Sequence, residues 1–142
     1  MPVYNLYMGC SVPANYPNYE AAMFKVAETL GMDLNYMEGV ACCGSPNLRA
    51  IDYFGWLLVN ARTIAIAETN GYDIVTPCNG CFASLKDALH HLKHHDEDRK
   101  RVNAELKKSG FEVKCNIKVR HIVEAMYSDI GLEEIKSKIT KP

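Results

Sequence analysis

The chain has 142 residues, enough for a single domain that buries about 70% of the surface its unfolded form would expose, so it needs no disulfides to stand. Sixteen Lys and Arg against seventeen Asp and Glu leave a net charge of -1, with no basic stripe to follow a phosphate backbone, which excludes nucleic acid as an expected partner. No apolar run approaches the ~18 residues of a membrane span and Met1 to Leu6 lack the pattern of a signal peptide, so a soluble, cytoplasmic protein is expected.

Val3 to Met8 reads as a strand that delivers Cys10 at its C-terminal end, and Ser11 to Pro17 as a loop with two prolines. Asn18 is placed to cap a helix in which Met23, Val26, Ala27 and Leu30 share a face, and Gly31 to end it. Asp33 to Met37 is a shorter strand candidate that leads into Cys42-Cys43-Gly44-Ser45-Pro46, where the Ser-Pro pair reads as a helix cap and first residue. A long helix is predicted from Asn47 to about Thr69, with Leu57, Ala61, Ile64 and Ala65 facing the core, stopped by Asn70-Gly71.

Tyr72 to Thr76 is the next strand, closed by Pro77 and followed at once by Cys78-Asn79-Gly80-Cys81. A helix then carries Leu85, Ala88, Leu89 and Leu92, and the charged stretch from Asp96 to Lys108 continues as a more exposed helix with Val102 and Leu106 inward. Glu112 to Val119 alternates Val113, Cys115, Ile117 and Val119 with polar neighbours, the pattern of a half-buried or edge strand. Ile122, Ala125 and Met126 predict one further helix, and Leu132, Ile135 and Ile139 a short C-terminal one. Strands alternating with helices imply a small doubly wound α/β domain: a mainly parallel four-stranded sheet with helices on both faces. The boundaries read as a domain over residues 1-128 and a C-terminal helix or linker over 129-142.

In a reducing compartment six cysteines are metal ligands or redox thiols rather than bridges. Cys10, the Cys42-Cys43 pair and the Cys78/Cys81 pair each follow a different predicted strand, and parallel strands share one C-terminal edge, where ligands of open α/β sheets bind. Five sulfurs are therefore expected together, with Cys115, mid-strand, left out as a core thiol. The spacing C-x31-CC-x34-CxxC is specific, because adjacent cysteines diverge and suit a centre of several metal atoms better than one small ion. Gly9, Gly44 and Gly80 beside these cysteines are expected to let backbone N-H groups come close to such a centre.

This array, with the opening Tyr4-x-x-Tyr7-x-Gly9-Cys10-Ser11 and the Cys42-Cys43-Gly44 run, resembles the CCG cysteine-rich domain of the B subunits of heterodisulfide reductases over nearly the whole chain. The resemblance implies a noncubane 4Fe-4S cluster on Cys10, Cys42, Cys43, Cys78 and Cys81. It also implies work with A- and C-type subunits of that reductase, which in methanogens reduces the mixed disulfide of coenzyme M and coenzyme B to thiols. Family subunits carry two CCG motifs and this chain one, so it looks like the first half of such a subunit, as a split gene product or a truncation. A second CCG domain, on another chain or in a homodimer, is then expected to complete the site for a small thiol or disulfide. CCG domains also resemble parts of membrane-associated succinate-, glycolate- and lactate-oxidising complexes, which leaves a pure electron-transfer module as the alternative.

Two rival readings of the cysteines remain beside this one. Four of them can make a tetrahedral zinc site, and Cys78-Asn79-Gly80-Cys81 between a strand and a helix fits a redox dithiol. His90, His91, His94 and His95 read as a solvated helix face, His121 and Glu124 as packing or capping groups, and Met8, Tyr16 and Met37 as wall and core near the cysteine loops.

Overall fold

The computed structural model describes residues 1-141. Four short strands, β1 (Val3–Leu6), β2 (Asp33–Tyr36), β3 (Ile74–Thr76) and β4 (Val119–His121), form one sheet in the order β2-β1-β3-β4, all parallel. The register sets Leu6 against both Tyr36 and Val75, and Thr76 against His121. Right-handed crossovers in this order send the connection between β1 and β2 over one face, and the two later connections over the other.

The first connection is α1 (Ser11–Asn15) and α2 (Pro17–Thr29); the second is α3 (Ser45–Ile51) and α4 (Tyr53–Asn70); the third holds α5 (Asn79–His94) and α6 (Asp96–Leu106). After β4 come α7 (Ile122–Ala125), a π-helical turn Met126–Ile130 and α8 (Leu132–Lys138). The two faces bury separate cores. Trp56, Leu57, Ile64, Leu85, Leu92 and Val102 make the larger one with Tyr7 and Ile74, while Tyr4, Leu6, Met8, Met23, Ala27 and Ile122 make the smaller. β1 divides its side chains between them by the two-residue period of a strand. This is the doubly wound α/β architecture expected, and the apolar stripes of α4, α5 and α6 are buried as read. In α2 Met23 and Ala27 are buried, but Val26 is turned away and lines a shallow apolar groove with Ile135 and Ile139.

Four local expectations fail for identifiable reasons. Ser11–Asn15 is a short helix rather than loop, tolerated because Pro13 lies in the first turn, where an N-H has no helical acceptor. The next helix opens at Pro17 and not after Asn18, proline being pre-set for that position. The long helix is two: the Asp52 carboxylate accepts from the Gly55 N-H at 2.9 Å and caps α4, so α3 ends there. The last strand begins where the prediction ended. Val113, Cys115 and Ile117 are buried in alternation, yet the N-H groups of Lys114 and Asn116 donate to the Glu68 carboxylate at 2.8 and 2.9 Å, and that of Lys118 to Asp73 at 2.9 Å. Two acidic side chains take the bonds that a neighbouring strand would have taken. No helix among the described residues is long and apolar enough to cross a membrane.

Candidate metal centre

In the strand order β2-β1-β3-β4 the chain leaves β1 towards one edge of the sheet and β3 towards the other, so the C-terminal ends of β1 and β3 flank the point where connections diverge to opposite faces. The cysteines gather at that edge. Cys10 precedes α1, Cys42 and Cys43 lie in the loop after β2, Cys78 is the N-cap of α5 and Cys81 sits in its first turn. The sulfurs of Cys10 and Cys42 are 3.5 Å apart and exposed; those of Cys43 and Cys81 are 3.7 Å apart and buried. Cys78 is half-buried and near enough to Cys81 to help raise its pKa.

The buried sulfurs share a hydrogen. The Cys43 pKa is held down to about 6, first by the hydrogen bond with Cys81 and further by the Ser45 N-H and the Ser84 hydroxyl, although burial opposes it. Cys81 is pushed up by Cys43 and by burial. At Cys42 the Gly44 N-H, 3.5 Å from the sulfur, favours the thiolate, but burial and neighbouring sulfurs outweigh it and its pKa rises.

The backbone around the sulfurs is pinned from behind. The Tyr7 hydroxyl donates to the Ala41 carbonyl at 2.7 Å, and the Asn60 amide, from the middle of α4, donates to the Cys43 carbonyl at 3.0 Å. Burial, and then charge on Cys43, Cys81, Cys42 and Cys10, raises the Tyr7 pKa, so its hydroxyl stays a donor. Beside Cys78, the Pro77 carbonyl accepts from the Tyr19 hydroxyl at 3.1 Å and stands 3.2 Å from His121 Nε2. Sequence reasoning had no role for Tyr7, Tyr19 or Asn60. Asn60 did carry a signal, as a polar residue four after Trp56 and one before Ala61 on the apolar stripe of α4.

The three glycines differ in what they leave room for. Gly9 has a φ of +74°, and a Cβ there would stand 2.7 Å from the Cys81 sulfur, so its lack of a side chain makes space for that sulfur. Gly44, also left-handed at +79°, makes space for Leu48 instead. At Gly80 the nearest atom to an added Cβ is the Cys78 sulfur, at an ordinary 3.9 Å. The helix after Cys43 begins one residue early, with Gly44 as N-cap, and Ser45 does not cap through its side chain.

Cys115 lies in the segment before β4, hence towards the opposite edge of the sheet, buried in the larger core with its pKa raised by burial and by Glu68. His121 caps α7 by accepting from the Val123 N-H at 3.3 Å. His91 sits 2.7 Å from Asp98, and His90, His94 and His95 are exposed. Among the described residues no three His, Cys, Asp or Glu side chains are disposed to hold one ion. A donor set made wholly of sulfur, arranged as linked pairs with a glycine cut away beside one ligand, fits a thiolate-held metal group.

A family model described as "CCG: Cysteine-rich domain" matches residues 4–86, which span all five cysteines. The chain belongs to the CCG family. It is 40% identical over 139 residues to the B subunit of the ferredoxin/F(420)H(2)-dependent CoB-CoM heterodisulfide reductase of Methanosarcina acetivorans, covering 97% of this chain and 46% of the relative. A protein of Archaeoglobus profundus, described as like the B subunit of heterodisulfide reductase, is 34% identical over 98% of the chain and 47% of its own length. The "8-methylmenaquinol:fumarate reductase membrane anchor subunit" of Wolinella succinogenes is 28% identical over 94% of the chain and 46% of its own length. The CCG chain thus spans about half the length of these relatives. A crystal structure of a hypothetical protein from Helicobacter pylori shares the fold, with a TM-score of 0.79 and 17% identity over 89% of this chain and 25% of the other.

Proposed function

We propose that this CCG domain is an electron-transfer half-subunit of a heterodisulfide reductase, holding a noncubane 4Fe-4S cluster on Cys10, Cys42, Cys43, Cys78 and Cys81. The observation that carries the reading is the pairing of sulfurs across three loops at one sheet edge, 3.5 Å for Cys10 and Cys42 and 3.7 Å for Cys43 and Cys81. Sulfurs spread in linked pairs suit a group larger than one ion. When bound, the cluster supplies one-electron transfers beside the disulfide. Reduction of the mixed disulfide consumes two electrons and two protons, breaks the S-S bond and yields two thiols. A-type and C-type subunits deliver the electrons, and a second CCG domain, from another chain or a second copy, completes the substrate site.

This chain's own contribution is an outer wall. Cys10 and Cys42 border a cavity of about 160 Å³ lined also by Tyr7, Tyr36 and Val40, room for the small end of a thiol or disulfide. The half-exposed Tyr36 ring stands at its mouth.

A second reading, an electron-transfer module of a hydroxyacid-, succinate- or fumarate-linked complex, is favoured by the likeness to the fumarate reductase anchor subunit over 94% of the chain. Anaerobic reconstitution with counted iron, acid-labile sulfide and zinc, followed by EPR of the oxidised protein, tests the cluster. Iron and sulfide with a paramagnetic signal are expected; one zinc per chain without sulfide overturns it. Cys43→Ala should lose or remodel the signal, whereas Cys115→Ala should leave it intact. Coenzyme M added in the presence of a second CCG domain should perturb the signal, and a silent titration favours the second reading.

A further inference from the structure

Both carbonyls that bracket the Cys42-Cys43 pair are tied to buried side chains from different elements. Ala41 O takes the Tyr7 hydroxyl, from the end of β1, and Cys43 O takes the Asn60 amide, from α4. Tyr7 is 1% exposed and Asn60 0%. Both side chains act here as donors: the Tyr7 hydroxyl gives its hydrogen to the Ala41 carbonyl, and the Asn60 amide nitrogen has only hydrogens to offer.

We infer that Tyr7 and Asn60 are positioning residues that hold the Cys42-Cys43 peptide so that one sulfur faces outward to Cys10 and the other inward to Cys81. Adjacent side chains diverge, and a free loop would rotate both sulfurs to water. Fixing the carbonyl before the pair and the carbonyl at its end fixes the orientation of the peptide between them. The Asn60 amide nitrogen also donates to the Trp56 carbonyl at 2.8 Å, which orients the side chain with its oxygen away from both acceptors. That oxygen is buried with no hydrogen-bond partner. A buried orphan acceptor is unfavourable, and an apolar residue would pack there without it. What the amide contributes at this position is its nitrogen, which donates to two carbonyls. The same pairing of sulfurs underlies the cluster reading, on which the metal arm of the test rests; the thiol arm does not.

The test uses Asn60→Leu and Tyr7→Phe in the full chain, with Asn103→Leu as control. Asn103 ties both backbone groups of Val113 through hydrogen bonds of 3.0 and 2.8 Å in the segment leading to β4, so it removes a comparable clamp elsewhere. In metal-free, reduced protein well below its melting temperature, iodoacetamide labelling of Cys43 should accelerate about tenfold in Asn60→Leu, while exposed Cys42 changes little. Tyr7→Phe should act in the same direction. Melting of metal-free Asn60→Leu should stay within about 4 °C of wild type, because the orphan oxygen leaves with the amide. After reconstitution, iron and sulfide retained against a chelator should fall about tenfold in both variants, with an altered EPR line shape. The control should lose stability and change neither readout. Unchanged Cys43 labelling in both variants overturns the inference, as does equal acceleration in the control. A wild type that takes up no iron or sulfide, with Cys43 still released in the variants, defeats the cluster reading and leaves the positioning role standing.

Discussion

A single methyl group measures how closely the centre is built. Gly9→Ala would place a carbon 2.7 Å from the Cys81 sulfur at a backbone angle that alanine resists. A free cysteine swings aside, but a ligating one cannot. The expected outcome is a modest stability loss, about 1 to 2 kcal/mol in thermal melting without metal, and a much larger loss of iron retained per chain. Gly80→Ala, in the first turn of α5 with the nearest atom at 3.9 Å, should load as wild type does, since alanine is the better helix former. At this scale the five cysteines were legible because spacing and strand order carry them. The roles of Tyr7, named only within the opening motif, of Tyr19, and of Asn60, marked only as a polar residue on an apolar stripe, were not. They act by donating to backbone carbonyls, and a carbonyl is offered by every residue, so no spacing betrays the partner. Cys115 was legible only as an exception to the pattern, through its place before a strand rather than after one.

The elements illustrate how a side chain overrules a pattern. Asp52 interrupts an apolar periodicity that runs from Leu48 to Ala67, and one cap turns a predicted rod into two helices. The break lets α3 turn with the cysteine loop while α4 stays on the sheet. Asp52→Ala should cost about 1 kcal/mol, read as a lower urea midpoint with an unchanged slope. An unchanged slope with no midpoint shift would mean the cap is replaced by water. The segment before β4 carries the same lesson in reverse. Its alternation correctly named the buried residues, but alternation records burial and not the identity of the hydrogen-bond acceptor, and Glu68 and Asp73 stand in for a strand. Strand cores, the α4 and α5 stripes and the parallel topology could be read because each rests on many apolar positions. Boundaries rest on one residue each.

Across the whole molecule, one charged knot binds the far ends of the chain. Arg120 of β4 lies 2.9 Å from Asp129 in the π-helical turn and 3.6 Å from Asp73 before β3, and the Tyr4 hydroxyl of β1 donates to Asp129. The Arg120 guanidinium, followed by the Tyr4 hydroxyl, holds the Asp129 carboxyl below the usual carboxylate range. Its contribution to stability is complete above the unfolded-state value near 3.9 and is lost as pH falls through the lower folded value. Between about pH 5 and about pH 2 the melting temperature of wild type should therefore drop more steeply than that of Asp129→Asn, and equal slopes would remove the knot from the account of acid stability.

The unequal exposure of the two sulfur pairs gives the site a polarity. Cys43 and Cys81 lie among apolar side chains, 5% exposed each, whereas Cys10 and Cys42 meet water. Without hydrogen-bond partners, negative charge is far costlier to place in the first setting than in the second, and Cys43 finds them in the Cys81 thiol, the Ser45 N-H and the Ser84 hydroxyl. Solvent therefore reaches the sulfurs from one side, and anything that approaches through water meets Cys10 and Cys42 before Cys43 and Cys81. The protein sets that direction through burial alone, before any partner arrives.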